Sequence, residues 1–430
     1  MKQSARLRSI EELLTYILDA ENKAPADNIF VNYCRERRFM GSHDRKYLGD
    51  SFFEILRFYH GYANALKGAL TPRLLTLTYW GFKNGLHFDV MKDDFANDPR
   101  PYSQRYGIKL PNEHEKTIIE KALSVFAENQ IIIPKWFAPY FQDLPGNLDD
   151  HLKALHEQAP FDIRVNPFNG NREEVLDTFK RNGIAAEATD LSPFGMRLKN
   201  RIPLQEMSIW KKGIIEVQDE GAQLVSLFAN VKPGENVLDY CAGAGGKTLL
   251  MSAMMQNKGR LVATDLLPWR LKQGVKRYRR AGVHNVQAKE LDDKKWWKRH
   301  HNYFDCVLID VPCSGSGTWR RNPDLKITFK PKDLKELLVK QQDILETAKK
   351  YIRPGGLFVY ATCSIWRAEN HDQIRKFLDN NPEFSIEPVG EKHPEVIEKL
   401  KQKQDAEGLQ LTPLDHKTDG FFISVMRKEL

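Results

Sequence analysis

Residues 235–248 read ENVLDYCAGAGGKT, an apolar run that ends in a loop with glycine at 243, 245 and 246. Glycines at a strand-to-helix turn let backbone approach a ligand closely, and the start of the following helix favours negative charge. Three kinds of loop compete. A dinucleotide GxGxxG loop needs a third glycine at 248, where Thr248 stands. A P-loop GxxxxGK[ST] needs glycine at 241, where Cys241 stands. An S-adenosylmethionine loop needs an acid at the end of the second strand, and Asp265 lies 19 residues beyond Gly246. A carboxylate there takes ribose hydroxyls in doubly wound folds. The bland reading is a tight turn, which requires neither the lysine nor the matching acid. The P-loop stays open at this point, because VLID (307–310) resembles the apolar run and aspartate of a magnesium-binding strand.

Outward from the loop, strands and helices alternate. ENVLDY, GRLVATD, NVQAKE, DCVLIDVP and GGLFVYATCS are β-rich apolar runs, mostly separated by helical patterns. That order predicts a parallel sheet covered on both faces. FSIEPV and FFISVMRK are expected to add antiparallel strands. Upstream, FDIRVNPF alternates like a strand, REEVLDTFKRNG reads as a helix ending at Gly183, IAAEATDL as a strand and VQDEGAQLVSLFANV as a helix. The first part of the chain reads as helical. Ser9 followed by Glu12 is a capping-box signal, and Ile10, Leu13, Leu14, Ile17 and Leu18 follow at helical spacing. Further stripes run through Phe52, Phe53, Leu56, Tyr59, Ala63 and Leu66, and through Ile118, Ile119, Ala122, Leu123 and Phe126. The expected division is a helical domain over 1–142, a small α+β module over 150–230 and an α/β domain over 231–430.

Composition narrows the class. Of 430 residues, 41% are hydrophobic and 28% charged, which excludes wholesale disorder. No run of eighteen apolar residues exists, so no transmembrane helix is expected. The amino terminus lacks a plain apolar stretch, so a cytoplasmic location is expected. The five cysteines form no CxxC pair, which argues against a disulfide framework and a zinc site. No metal is predicted. Residues 260–330 hold 16 Lys/Arg against 7 Asp/Glu, while the remainder is balanced. The densest stretch is RLKQGVKRYRR, Arg270 to Arg280. A charge run is usually a solvated helix face; here it is expected to attract a polyanion.

Two cysteines sit at two predicted strand ends: Cys313 in DVPCSGSG and Cys363 in ATCS. In a doubly wound sheet the carboxyl ends of strands line the active crevice, so both thiols should face the cleft of the glycine loop. Either alone would more simply be an inert buried cysteine. Together they suit methylation of a pyrimidine carbon. C5 of cytosine is a poor nucleophile; a thiolate adding at C6 makes C5 enamine-like and able to take a methyl group. Asp310 is positioned to hydrogen-bond or protonate N3. Chemistry alone leaves open which cysteine attacks. Cys34 and Cys306 are expected to be dispensable.

DYCAGAGGKT, TDLLPWR, DVPCSGSG, RRNPD, PGGLFVYATCS with Glu369-Asn370, and TDGFF, taken in order, resemble the Nop/Sun group of RNA 5-cytosine methyltransferases, over about residues 150–430. With its helical start the chain is most similar to the bacterial RsmB type. The resemblance implies a Rossmann-like S-adenosylmethionine-dependent core, a NusB-like amino-terminal domain and small-subunit (16S) ribosomal RNA as substrate. It implies Cys363 as nucleophile and Cys313 as the cysteine that releases product. It implies cofactor contacts at Cys241, Ala242, Gly243, Ala244, Gly245, Gly246 and Lys247, then at Asp265, Arg270, Asp292 and Asp310. The group's loop commonly reads Cys-Ala-Ala-Pro-Gly-Gly-Lys; here Gly243-Ala244 replace Ala-Pro, which removes no type of contact.

Arg320 and Arg321 are expected on an exposed loop that grips RNA, with Lys276, Arg277 and Arg280 adding affinity. Trp319 is a candidate for stacking on a base, Trp296 and Trp297 form a basic-aromatic cluster, and Arg164 and Asn166 are candidates for extending the RNA surface. The base must leave any duplex to reach both thiols, so loop or single-stranded RNA is expected. A monomer is expected. The competing readings are a P-loop nucleotide hydrolase and a catalytically silent RNA-binding assembly factor.

Overall fold

Neighbouring residues of the apolar runs after Glu235 enter opposite cores of one sheet. Val237, Cys306, Leu308, Val359 and Ala361 belong to one buried cluster; Leu238, Val307, Ile309, Phe358 and Tyr360 belong to another. Both faces are therefore covered, as the unbroken apolar runs require. The computed structural model describes residues 1–19, 24–88, 107–389, 392–400 and 404–430. The strands are β1 (Phe161–Val165), β2 (Ala186–Ala188), β3 (Gly195–Leu198), β4 (Ile215–Val217), β5 (Asn236–Asp239), β6 (Arg260–Ala263), β7 (Val286–Ala288), β8 (Phe304–Asp310), β9 (Ile352–Thr362), β10 (Phe384–Ile386), β11 (Leu409–Leu411) and β12 (Phe421–Lys428).

The large sheet runs in the order β10-β12-β9-β8-β5-β6-β7, with β11 beside β12. Pairs among β5 to β9 are parallel, and β12 is antiparallel to β9, β10 and β11. From β5 the chain builds outward through β6 and β7, then returns to build β8 and β9 on the other side. The reversal lies between β5 and β8, and a crevice outside the carboxyl ends of strands forms at such a point. Asp239 ends β5 and Asp310 ends β8. A smaller antiparallel sheet has the order β2-β3-β1-β4. β3, β4 and β11 are not among the strands expected from the sequence.

Two units divide the chain: Met1–Pro139 with Leu152–Glu157 and Trp319–Phe329, and the remainder. The first is helical, and two expectations about it need correction. Its first helix is Gln3–Leu18, so Ser9 lies inside the helix and does not cap it. The Ser9 hydroxyl bonds the Ala5 carbonyl one turn back, which satisfies it within a helix. The Phe52-to-Leu66 stripe is two helices, Ser42–Arg57 and Tyr59–Leu66, broken at Phe58. Gly61 permits a close approach there, since a Cβ on it would stand 2.3 Å from the Gln130 carbonyl oxygen. The stripe through Ile119, Ala122 and Phe126 is the helix Glu113–Glu128, capped by Asn112 and Glu115.

Candidate active site

The glycine loop is shaped by backbone geometry. Gly243 and Gly245 have φ of +55° and +79°, a region L residues rarely adopt. A Cβ on Gly245 would stand 2.3 Å from the Tyr278 hydroxyl, so glycine is needed there on both counts. Around Gly243 there is open space. Gly245 precedes the helix Gly246–Met254. Asp265 closes the loop from the next strand: its two carboxylate oxygens accept the backbone N–H of Gly243 at 2.9 Å and of Leu267 at 2.8 Å. Arg277 donates to the Ala244 carbonyl at 2.8 Å.

A cavity of about 260 Å³ opens above this loop, lined by Gln218, Asp239, Cys241, Lys247 and Asp310, among others. Lys247 donates to Asp310 at 2.6 Å and stands 5.5 Å from the ring centre of Phe421. Burial lowers the Lys247 pKa, but the Asp310 carboxylate outweighs it and holds the ammonium above its ordinary value. Asp239 is fully buried, and burial pushes its carboxyl up to about 7, against the hydrogen bond from Thr248. The other Asp239 oxygen has no hydrogen-bond partner among the described residues. Burial also raises the Cys241 thiol.

The register of β8 on β9 decides where the thiols fall. Asp310 pairs with Ala361, so Cys313 and Cys363 lie three and two residues beyond one rung. Their sulfurs are 3.4 Å apart. The hydrogen bond with Cys363, and then burial, hold the Cys313 thiol well above its ordinary pKa. The two cysteine loops are bolted by one buried carboxylate. Glu369 accepts from the Ser314 backbone N–H at 2.8 Å, from the hydroxyls of Ser314 and Ser364, and from Gln341 at 3.1 Å. Asn370 holds the Ser364 carbonyl at 2.9 Å and accepts from Thr362 at 2.6 Å. Gly317 donates to the Cys363 carbonyl at 3.0 Å. A Cβ on Gly317 would collide with the Gly420 carbonyl at 2.2 Å, which ties the SGSG and TDGFF stretches together.

Residues 226–427 match the 16S rRNA methyltransferase RsmB/F family, and residues 133–205 match the ferredoxin-like domain of RsmF/B-like methyltransferases. A probable ribosomal RNA small subunit methyltransferase B of Bacillus subtilis is 33% identical over 299 residues, 69% of this chain and 66% of its own. Its Synechocystis counterpart is 31% identical over 320 residues, 74% of this chain and 71% of its own. The chain belongs to the RsmB/F family of ribosomal RNA methyltransferases. The crystal structure of PH0851 shares the fold, with a TM-score of 0.77 and 24% identity across 100% of both chains. A methyltransferase homologue from Pyrococcus horikoshii gives a TM-score of 0.58 and 27% identity over 69% of this chain and 95% of its own.

For an RsmB/F methyltransferase the cofactor is S-adenosylmethionine, and the residues fit it. The Asp265 oxygens keep lone pairs for ribose hydroxyls beyond their two backbone bonds. Open space at Gly243 leaves backbone available to a ligand. Asp239 offers an unpartnered acceptor on the cavity wall. The P-loop reading falls with the family match, and Cys241 already stood where it needs glycine.

Among the predicted residues, Cys241, Ala242, Gly243, Ala244, Gly246, Lys247, Arg277 and Asp310 line the cavity. Arg270 and Asp292 do not line it; both are exposed. The neighbouring Asp293 caps the helix Lys294–Arg299 and pairs with Lys289. Arg320 is 5% exposed, against the expectation of an exposed loop, and Arg321 is half-buried. Trp319 is buried against Phe137 and cannot stack on a base as placed. Both belong to Trp319–Phe329, which packs with the helical unit. Arg277 and Arg280 also turn inward, to the buried carboxylate of Glu216, which offsets the cost of burying that charge. Lys276 is exposed. Arg164 is buried and donates to Gln218, and Asn166 bonds the Gly213 carbonyl, so both are structural. Trp297 is buried and Trp296 stacks on His300. Sequence reasoning missed Glu369 as the bolt of the cysteine loops; its only signal was its place beside Asn370, five residues beyond the end of PGGLFVYATCS. A separate cavity of about 770 Å³, lined by Ile365, His371, Gln410 and His416, among others, contains none of the predicted residues.

Proposed function

We propose that this protein methylates C5 of a cytosine in 16S ribosomal RNA, in the cytoplasm, through a covalent bond between Cys363 and C6. The observation that carries the reading is the pair of thiols 3.4 Å apart, beyond one rung of β8 and β9, with the Lys247–Asp310 pair at the same strand ends. A single nucleophilic cysteine would explain addition to the ring; a second thiol in contact with it supplies a base for elimination.

S-adenosylmethionine supplies an electrophilic methyl group on a sulfonium. The Cys363 sulfur, as thiolate, forms a bond to C6, and the electron pair of the C5–C6 double bond becomes available at C5. Lys247 provides a fixed positive charge in the field of Cys363. Asp310, anchored by Lys247, meets the N3 edge of the base and accepts from its exocyclic amine, which orients the ring. Once C5 carries the methyl group, that group's bond to the sulfonium sulfur has broken and left a neutral thioether; Cys313, as thiolate after releasing its own proton to solvent, takes the C5 proton. The Cys363–C6 bond then breaks, the double bond re-forms and the thiolate leaves.

The test is tritium transfer from labelled cofactor to 16S ribosomal RNA, with bisulfite mapping of the product. One protected cytosine that disappears without the protein is expected. Label on another base, or on the exocyclic amine of cytosine, would overturn the reading.

A further inference from the structure

The basic helix Pro268–Arg280 has two faces with different work. Leu271, Gly274 and Tyr278 are buried, and Arg277 and Arg280 reach inward to Glu216. Lys272, Lys276 and Arg279 are exposed. With Trp269 they follow at spacings of three, four and three residues, which puts all four on one stripe about 15 Å long. No acidic residue lies in the helix.

Just before it, Leu266, Leu267 and Trp269 are exposed by 65%, 39% and 53%. So much apolar surface in four residues is unusual for a surface that meets only water. Its conformation is set: the Asp265 carboxylate holds the Leu267 N–H while its other oxygen holds the glycine loop. The Arg270 guanidinium lies 5.6 Å from the Trp269 ring centre and braces the indole.

We propose that this outward stripe seats single-stranded substrate RNA, with phosphates on Lys272, Lys276 and Arg279 and one base stacked on Trp269. A row of unpaired cations beside an exposed aromatic ring is the arrangement that tracks a nucleic-acid strand without reading sequence. The stripe meets the cofactor loop through Asp265, so RNA held there is delivered to the edge of the cavity. The proposal rests on the RNA-methylating reading above and adds to it the surface that receives the strand.

The experiment measures binding of a short fluorescein-labelled single-stranded RNA to the full chain as salt is varied. In Lys272→Glu/Lys276→Glu/Arg279→Glu the salt slope should fall by about 2, at roughly 0.7 per phosphate contact. Trp269→Ala should weaken binding about tenfold, and Trp269→Phe should restore most of it. Both variants should keep the calorimetric affinity for S-adenosylmethionine, and kcat at saturating RNA, with KM raised. Should the triple variant misfold, Lys272→Gln/Lys276→Gln reads the same slope with a drop of about 1. An unchanged slope and unchanged KM, in a wild type that methylates RNA, sink the surface alone. RNA held by this stripe without any methyl transfer sinks the functional reading and leaves the surface standing. Binding of phosphatidylserine vesicles in place of RNA overturns the proposal.

Discussion

Strand β8 carries an aspartate towards each end, and each accepts a cation at 2.6 Å: Asp305 from Arg353 and Asp310 from Lys247. The chemistry is nearly the same and the setting is not. Arg353 is 46% exposed, and Asp305 also accepts the Asn236 N–H, so this pair staples the amino edge of the sheet. Lys247 is only 13% exposed and lines the cavity at the reversal of strand order, with Cys363 in its field. In water an ion pair is worth little; away from water the same pair sets the charge of everything near it. Strand direction, more than residue type, separates a staple from a pair that lines the cavity.

The largest effect should come from the carboxyl edge. Cys363→Ala should lower kcat by roughly 10⁴-fold or more, as loss of a covalent nucleophile does; single-turnover methyl transfer measures it. Cys313→Ala should stall after the first addition and accumulate protein bound to RNA, seen as a denaturant-resistant band. The opposite assignment of the two cysteines follows if Cys363→Ala gives that band instead. Lys247→Met should cost roughly 10²–10³-fold in kcat, the scale of removing one preorganised charge, with folding measured alongside by thermal melting.

Asp239 sharpens the comparison through pH. Its folded-state value of about 7 lies above that of the unfolded chain, so folding favours the protonated form. That contribution is complete below about pH 4, shrinks as pH rises and is lost past about pH 7. Urea unfolding should show wild type losing on the order of 2 kcal/mol relative to Asp239→Asn between about pH 5 and pH 8. At the amino edge, Asp305→Ala should cost below about 1 kcal/mol and leave kcat unchanged. A large loss of activity there would break the comparison.

Much of this was legible in the residues. The glycine loop, Asp265 and the two strand-terminal cysteines were readable because backbone chemistry restricts which residues serve at such turns. The basic run was visible as a run but not as two faces. Arg277 and Arg280 differ from Lys272 and Lys276 only in what lies opposite, and Glu216 comes from β4, a three-residue strand with no period of its own. Arg320 likewise reads as a surface arginine until its segment is found packed with the helical unit. Local sequence by itself determined most of the strands, the loop and the two strand-end cysteines, because periodicity and glycine act over neighbouring residues. Only the tertiary structure decided that Cys313 and Cys363 touch, that Glu369 locks them and which arginines are spent inside. Those depend on register and burial between segments dozens of residues apart.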